Sequence, residues 1–167
     1  EAHAGLDELQ QLTRGALAEM RTLLLELRPT AVTECGLDVL LQHLTAAMSG
    51  RTRAPINLHT DGECSLPPPA QLALYRIAQE ALNNVAKHAR AEQVTVSLRC
   101  SAGGVELEIS DDGLGFDPAA IPPDHLGVRI MGERAQKIGA SLQLNSRPGF
   151  GTQIHVSWQN STDEDSQ

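Results

Sequence analysis

Apolar positions along the chain change period several times, and each change marks an element. Leu6, Leu9, Thr13, Ala16, Met20, Leu23 and Leu27 recur at three- and four-residue spacings, with Leu17 and Leu24 widening the stripe. This spacing predicts one long helix over 6–28, roughly 33 Å in length and stopped by Pro29. Such a stripe suits either a core-facing helix or a bundle seam shared with a second copy of the protein. A second helix is expected at 37–49 (LDVLLQHLTAAMS) and a short strand at 56–60 (INLHT). Pro67, Pro68 and Pro69 then lead into a long helix at 69–89. Two-residue alternation at 94–100 and 105–110, joined through Gly103 and Gly104, reads as a hairpin. A loop rich in Gly, Pro and Asp precedes a helix at 127–139, and strands at 142–146 and 152–157 flank a turn at 148–151.

Strands paired mainly as hairpins, with helices on one face, make a two-layer α/β sandwich of the α+β kind. Its sheet is expected to be mixed and mainly antiparallel, preceded by the long N-terminal helix. No internal repeat is visible.

Composition narrows the function. The 167 residues suffice for one well-buried domain with a satellite element. With 41% apolar and 20% charged residues, neither a disordered nor a membrane class fits. No apolar run approaches the ~18 residues of a spanning helix. The start (EAHAGLDELQ) has no basic-then-apolar leader, and a chain opening on Glu reads as excised from something longer. A net charge of −8 and only four aromatic residues argue against nucleic acid, which wants a basic face and stacking rings. Cys35, Cys64 and Cys100 are odd in number and lack metal-like spacing, which suits reduced thiols in a cytosolic compartment. The six histidines are scattered, so a structural zinc site is not expected.

Four segments carry candidate chemistry. On the helix RIAQEALNNVAKHA, Glu80, Asn84, Lys87 and His88 share a face bordering the buried stripe. One Asn carbonyl with a nearby Glu suffices for Mg²⁺, which completes its shell with water and phosphates. A solvated face with local i,i+4 pairs is the plainer reading of this helix alone. In ISDDGLGFDP, Asp111-x-Gly113-x-Gly115 puts an acceptor carboxylate where a strand opens into a glycine turn. Such a group can hold an exocyclic amine, and the glycines let backbone approach a flat ring. Gly127 opens a helix whose free amides form an anion site. Finally, Gly149-Phe150-Gly151-Thr152 offers a hydroxyl beside open backbone. Neither a Rossmann fingerprint nor a P-loop is present.

Taken together and in order, these segments resemble the ATP-binding domain shared by DNA gyrase, MutL and histidine kinases. More narrowly, they resemble the nitrate-sensor and lipid-fluidity-sensor class of bacterial sensor histidine kinases. The carrying residues are QEALNNVAKHA (79–89), SDDGLGF (110–116), HLGVRIMGERAQKIG (125–139) and SRPGFGT (146–152). The leading LAEMRTLLLELRP also resembles the second helix of that class's dimerisation and phosphotransfer bundle.

The resemblance implies ATP and Mg²⁺ as ligands, with catalytic roles for Glu80, Asn84 and Lys87. Asn84 would ligate Mg²⁺, and Glu80 would support the metal or polarise an attacking group. Lys87 and His88 would face the phosphates, and Asp111 would bind the adenine amine. Gly113 and Gly115 would admit the base, Gly127 would sit at a phosphate-covering lid over 116–126, Thr152 would back the Asp111 contact, and Gly151 would belong to the nucleotide-binding set. Three units are implied: 1–28 as the last bundle helix, 29–159 as the ATP-binding catalytic domain, and 160–167 as a disordered acidic tail. No H-D or H-E acceptor motif occurs, so the chain reads as the catalytic part of a histidine kinase without its own substrate histidine.

Its implied partners are the acceptor-histidine helix, a response regulator receiver domain and a second copy in the full-length protein, with no nucleic acid and no direct membrane contact. The implied location is cytoplasmic, with an inner-membrane anchor of the parent left open. The competing readings are an ATP-hydrolysing clamp-type ATPase of the same superfamily and a non-catalytic nucleotide-binding interaction domain.

Overall fold

The structure, a computed structural model, describes residues 35–52, 54–120 and 126–160. The helix expected over 6–28, residues 121–125 of the expected lid, and residues 161–167 of the expected tail lie outside them.

Helix α1 (Leu37–Met48) buries Leu37, Leu40, Leu41, Leu44 and Met48, the i, i+3, i+4, i+7, i+11 series of its amphipathic pattern. Strand β1 (Ile56–Asp61) follows, and Pro67 and Pro68 lead into α2 (Pro68–Asn84). The sequence pattern predicts unbroken helix to residue 89. Instead, Val85–Ala89 forms a π-helical turn, ended by Arg90 in the left-handed region at φ 50°. β2 (Val94–Ser101) and β3 (Gly104–Asp111) form the expected hairpin. A 3₁₀ turn at Pro118–Ala120, α3 (Leu126–Lys137), β4 (Ser141–Ser146) and β5 (Thr152–Gln159) complete the described chain.

The five strands lie in the order β1-β2-β3-β5-β4, with β1 parallel to β2 and every other pair antiparallel. This is the mixed, mainly antiparallel sheet that the pattern implied. Alternation decides its two faces. Val94, Val96 and Leu98, then Val105, Leu107 and Ile109, then Ile154, Val156 and Trp158 are buried beneath the helices. The intervening Thr95, Ser97, Glu108 and His155 look outward and keep contact with water. Polar groups taken inside are paired. Trp158 donates its indole N–H to the Ile138 carbonyl at 3.0 Å, and the buried Gln71 donates to the Cys35 carbonyl at 2.6 Å.

One expectation is corrected. Odd cysteine number argued for reduced thiols, yet Cys64 and Cys100 form a disulfide, their Cα atoms 5.2 Å apart and 36 residues apart in sequence. The parallel pairing of β1 with β2 sets Asp61 opposite Arg99, so the chain leaving β1 passes beside Cys100. Gly62 makes that approach, at φ +79°, where a Cβ would run into the Cys100 carbonyl. Cys35 is free and exposed. Among the described residues, no helix is long and apolar enough to cross a membrane.

Candidate nucleotide-binding site

A cavity of about 380 Å³ opens between α2, the end of β3, the start of α3 and the β4–β5 pair. Its apolar lining comes from Ile109, Met131, Leu144 and Ile154. Asp111 and Thr152 stand among these groups, and Asn84 and His88 supply polar groups from the helix side. An apolar slot with a few convergent polar groups is the usual make-up of a small-molecule site.

Asp111 is the last residue of β3, paired with Val94 on one side and Thr152 on the other. Its carboxylate accepts the Gly113 N–H at 2.8 Å, which fixes its direction. Burial pushes its pKa above the ordinary aspartate value. The Gly113 N–H opposes that rise, the Asp112 charge adds to it, and the Thr152 backbone opposes it again. A carboxylate held this way is an acceptor waiting for a donor.

Asp112 does the opposite job. It is exposed and accepts the backbone N–H groups of Glu92 and Gln93 at 2.8 and 2.9 Å. The Gln93 bond is the main cause of its lowered pKa. Asp112 thus ties the segment after the π-turn to the end of β3.

The glycine turn is pinned on both sides. Leu114 donates its N–H to the Ala89 carbonyl in the π-turn at 2.7 Å, and Gly149 donates to the Leu114 carbonyl at 2.6 Å. A Cβ on Gly113 would strike the Ala89 carbonyl. At Gly151 (φ +76°) a Cβ would strike the Asp111 carbonyl. These two glycines let β5 and the π-turn close around Asp111, although neither lines the cavity.

Of the residues expected from sequence, Asn84, His88, Asp111, Gly115, Gly127 and Thr152 are brought together around the one cavity. Glu80 lies at its margin, against Gly127, where any Cβ would meet its Oε1, with Asn84 Nδ2 3.5 Å from the same point. Glu80 and Asn84 therefore converge on the first turn of α3, where free helix amides favour an anion. Lys87 is placed elsewhere. It lines a separate cavity of about 460 Å³ with Arg51 and Arg90. The cause is the π-turn: its wider i→i+5 ring turns each residue through a smaller angle. Lys87 falls short of the Asn84 face, and His88, one residue on, returns to it.

Sequence reasoning missed the Ser146 hydroxyl. It accepts the Phe116 N–H at 2.9 Å, and its one proton lies within reach of both the Gly151 carbonyl at 3.0 Å and the Thr152 hydroxyl at 2.9 Å. Its only signal was that it opens the segment SRPGFGT. Among the described residues no three His, Cys, Asp or Glu side chains gather as a metal site. Asn84 and Glu80 can offer Mg²⁺ one or two oxygens, with the remaining positions suited to water and phosphate.

Comparisons with known proteins bear on this geometry. The family described as histidine kinase-, DNA gyrase B-, and HSP90-like ATPase matches residues 70–162. An uncharacterized sensor-like histidine kinase of Chloroflexus aurantiacus is 34% identical over 165 residues, covering 93% of this chain and 28% of that protein. The sensor histidine kinase LiaS of Bacillus subtilis is 35% identical over 149 residues, covering 89% of this chain and 41% of LiaS. The chain thus spans well under half the length of these curated relatives. In fold it is similar to the ATP-binding domain of PrrB from Mycobacterium tuberculosis, with TM-score 0.59 and 23% identity over 77% of this chain and 96% of that one. The histidine kinase domain of the Erythrobacter litoralis EL346 blue-light activated kinase gives TM-score 0.58 and 24% identity, over 73% and 64% of the two chains.

Proposed function

The chain belongs to the histidine kinase-, DNA gyrase B-, and HSP90-like ATPase family, as an ATP-binding catalytic domain of the sensor histidine kinase kind, and from that premise we propose how its residues serve phosphoryl transfer. The observation that carries the reading is the convergence of Asn84, His88, Asp111 and Thr152 on one apolar cavity.

In this reading Asp111 accepts the exocyclic amine of adenine, Thr152 meets the neighbouring ring edge, and the apolar lining holds the faces of the base. The phosphates run toward the first turn of α3, between the Gly127 backbone and His88. Asn84, with Glu80 behind it, would hold Mg²⁺, which when bound neutralises phosphate charge. Phosphoryl transfer depends mainly on positioning and charge neutralisation. An imidazole nitrogen of a bundle helix attacks the γ-phosphorus, its proton passes to a base beside it, and ADP leaves.

The proposed partners are that acceptor helix, a response regulator receiver domain that takes the phosphoryl group onward, and a second copy of the kinase. Residues 1–28 would form the last helix of the bundle and 29–159 the catalytic domain, which works in the cytoplasm. Lys87 keeps a phosphate role in this scheme only if nucleotide draws it round from the cavity it shares with Arg51 and Arg90.

Calorimetric titration of Mg-ATP tests the reading. Asn84→Ala should abolish the Mg²⁺-dependent part of the affinity and leave the metal-free part intact. Failure of the parent to bind at millimolar ATP, or undiminished Mg-ATP binding by Asn84→Ala, overturns it.

A further inference from the structure

Ser146 stands behind Thr152 and has no part in the scheme above. It ends β4, directly opposite Thr152 at the start of β5. Thr152 lines the 380 Å³ cavity and Ser146 does not; Ser146 borders a shallower pocket that Thr152 also lines. A serine hydroxyl carries one proton and two lone pairs. One lone pair takes the Phe116 N–H at 2.9 Å. The proton can go to the Gly151 carbonyl at 3.0 Å or to the Thr152 oxygen at 2.9 Å.

These two arrangements present different chemistry to the cavity. If Ser146 donates to Gly151, the 2.9 Å contact is satisfied only when Thr152 donates back, and Thr152 then shows lone pairs alone. If Ser146 donates to Thr152, the Thr152 proton is released for a partner in the cavity. Because Asp111 is an acceptor, the base it holds carries a donor at that point. The edge of a 6-aminopurine carries such a donor beside a ring-nitrogen acceptor, which requires Thr152 to donate. A 6-oxopurine carries the reverse pair.

We propose that Ser146 is a positioning residue that orients the Thr152 hydroxyl as a donor, and so adds a second element, beside Asp111, to the preference of this site for 6-amino over 6-oxo purine nucleotides. The inference rests on the nucleotide-binding reading and deepens it. Through its bond to Phe116, the same hydroxyl holds the glycine turn against the β4–β5 tip, so the base meets donor and turn together.

The test is calorimetric titration of Mg-ATP and Mg-ITP into the parent, Ser146→Ala and Ser146→Thr, with thermal melts confirming that each is folded. The parent should favour ATP. Ser146→Ala should lose about fivefold to tenfold in ATP affinity, the worth of one neutral hydrogen bond. Its ITP affinity should stay within about twofold, so that the selectivity ratio falls by about fivefold and the share set by Asp111 remains. Ser146→Thr, which keeps the hydroxyl, should restore the ratio. If Ser146→Ala does not fold, Ser146→Cys, a weak donor of similar size, should show the same fall in the ratio. Equal losses for both nucleotides, or an unchanged ratio, overturn the role of Ser146 and leave the nucleotide site standing. A parent chain that binds neither nucleotide overturns both.

Discussion

Replacing Asp111 with Asn should raise the stability of the empty domain while weakening its hold on nucleotide. The side chain is half-buried at the cavity, and burial is the largest cause of its raised pKa. An acid whose pKa is raised on folding binds its proton more tightly in the folded state. Stability is therefore gained as pH falls through the raised value and lost as pH rises through it. At neutral pH the charge is a cost, moderated because water still reaches the group. Asn keeps an oxygen for the Gly113 N–H at 2.8 Å and sheds that cost.

Asp112 has the opposite sign. Its bonds from Gln93 and Glu92 lower its pKa, so its contribution is present above the ordinary aspartate range and fades as pH falls. The two neighbours partly cancel in the parent. Asp111→Asn should expose the Asp112 trend alone, melting above the parent at pH 7 with the gap closing on acidification toward pH ~4. Against this gain stands the base contact. A hydrogen bond to a charged acceptor contributes about 1.5–3 kcal/mol, so affinity should fall about 10-fold to 150-fold. ATP and ADP should suffer alike, since the contact is to the base. Melting curves across pH and calorimetric titration of both nucleotides supply the two readouts. A variant that melts below the parent at pH 7, or that binds ADP undiminished, would refute the reasoning.

Three further outcomes rest on other parts of the fold. Gly151→Ala, at φ +76° with the Asp111 carbonyl in the path of its Cβ, should lose about 1–2 kcal/mol from backbone conformation alone and nucleotide binding with it, as urea melts and titration will show. Cys100→Ser, or reductant, should destabilise the domain by up to about 4 kcal/mol, the chain-entropy value for a loop of 36 residues. Alkylation and mass measurement of the oxidised protein should modify Cys35 alone, and modification of all three thiols without reductant would contradict the pairing. Incubated with γ-labelled ATP, the 167-residue chain should bind but acquire no acid-labile phosphate. His59 and His155 lie on the outward sheet face and His43 on the exposed side of α1, away from the cavity. An added bundle helix bearing an acceptor histidine should restore labelling.

Local pattern made most elements legible. Alternation at 94–100 and 105–110, with two glycines between, leaves little choice but a hairpin. The Pro67–Pro69 entry and the leucine spacing in 37–48 set their helices within a residue or two. What stayed hidden depends on contacts distant in sequence. The parallel partnership of β1 with β2 needs α2 as its crossover, and no residue in INLHT announces it. The disulfide follows from that partnership. The π-turn leaves the apolar series Ala81, Leu82, Val85 and Ala89 intact, so periodicity could not reveal that Lys87 turns away from Asn84. Asp111 and Thr152 were readable as candidates because glycines mark them. Ser146 was not, since a serine at a strand end is ordinary until the register sets it opposite Thr152.

That register has an evolutionary consequence. Asp111 sits between Val94 and Thr152, and two residues earlier Ile109 sits between Val96 and Ile154 in the buried layer. A slip of one residue in β3 or β5 would turn Asp111 or Thr152 away from the cavity and expose the buried row in the same stroke. A lineage therefore cannot lengthen or shorten these strands by a single residue to retune base recognition without also forfeiting the fold. Insertions are tolerable at the far end of the same strands, where Ala102 and Gly103 turn in solvent with no part of the cavity nearby. Descendants of this sequence should thus differ in length at that turn and hold their spacing between Ile109 and Asp111, and between Thr152 and Ile154.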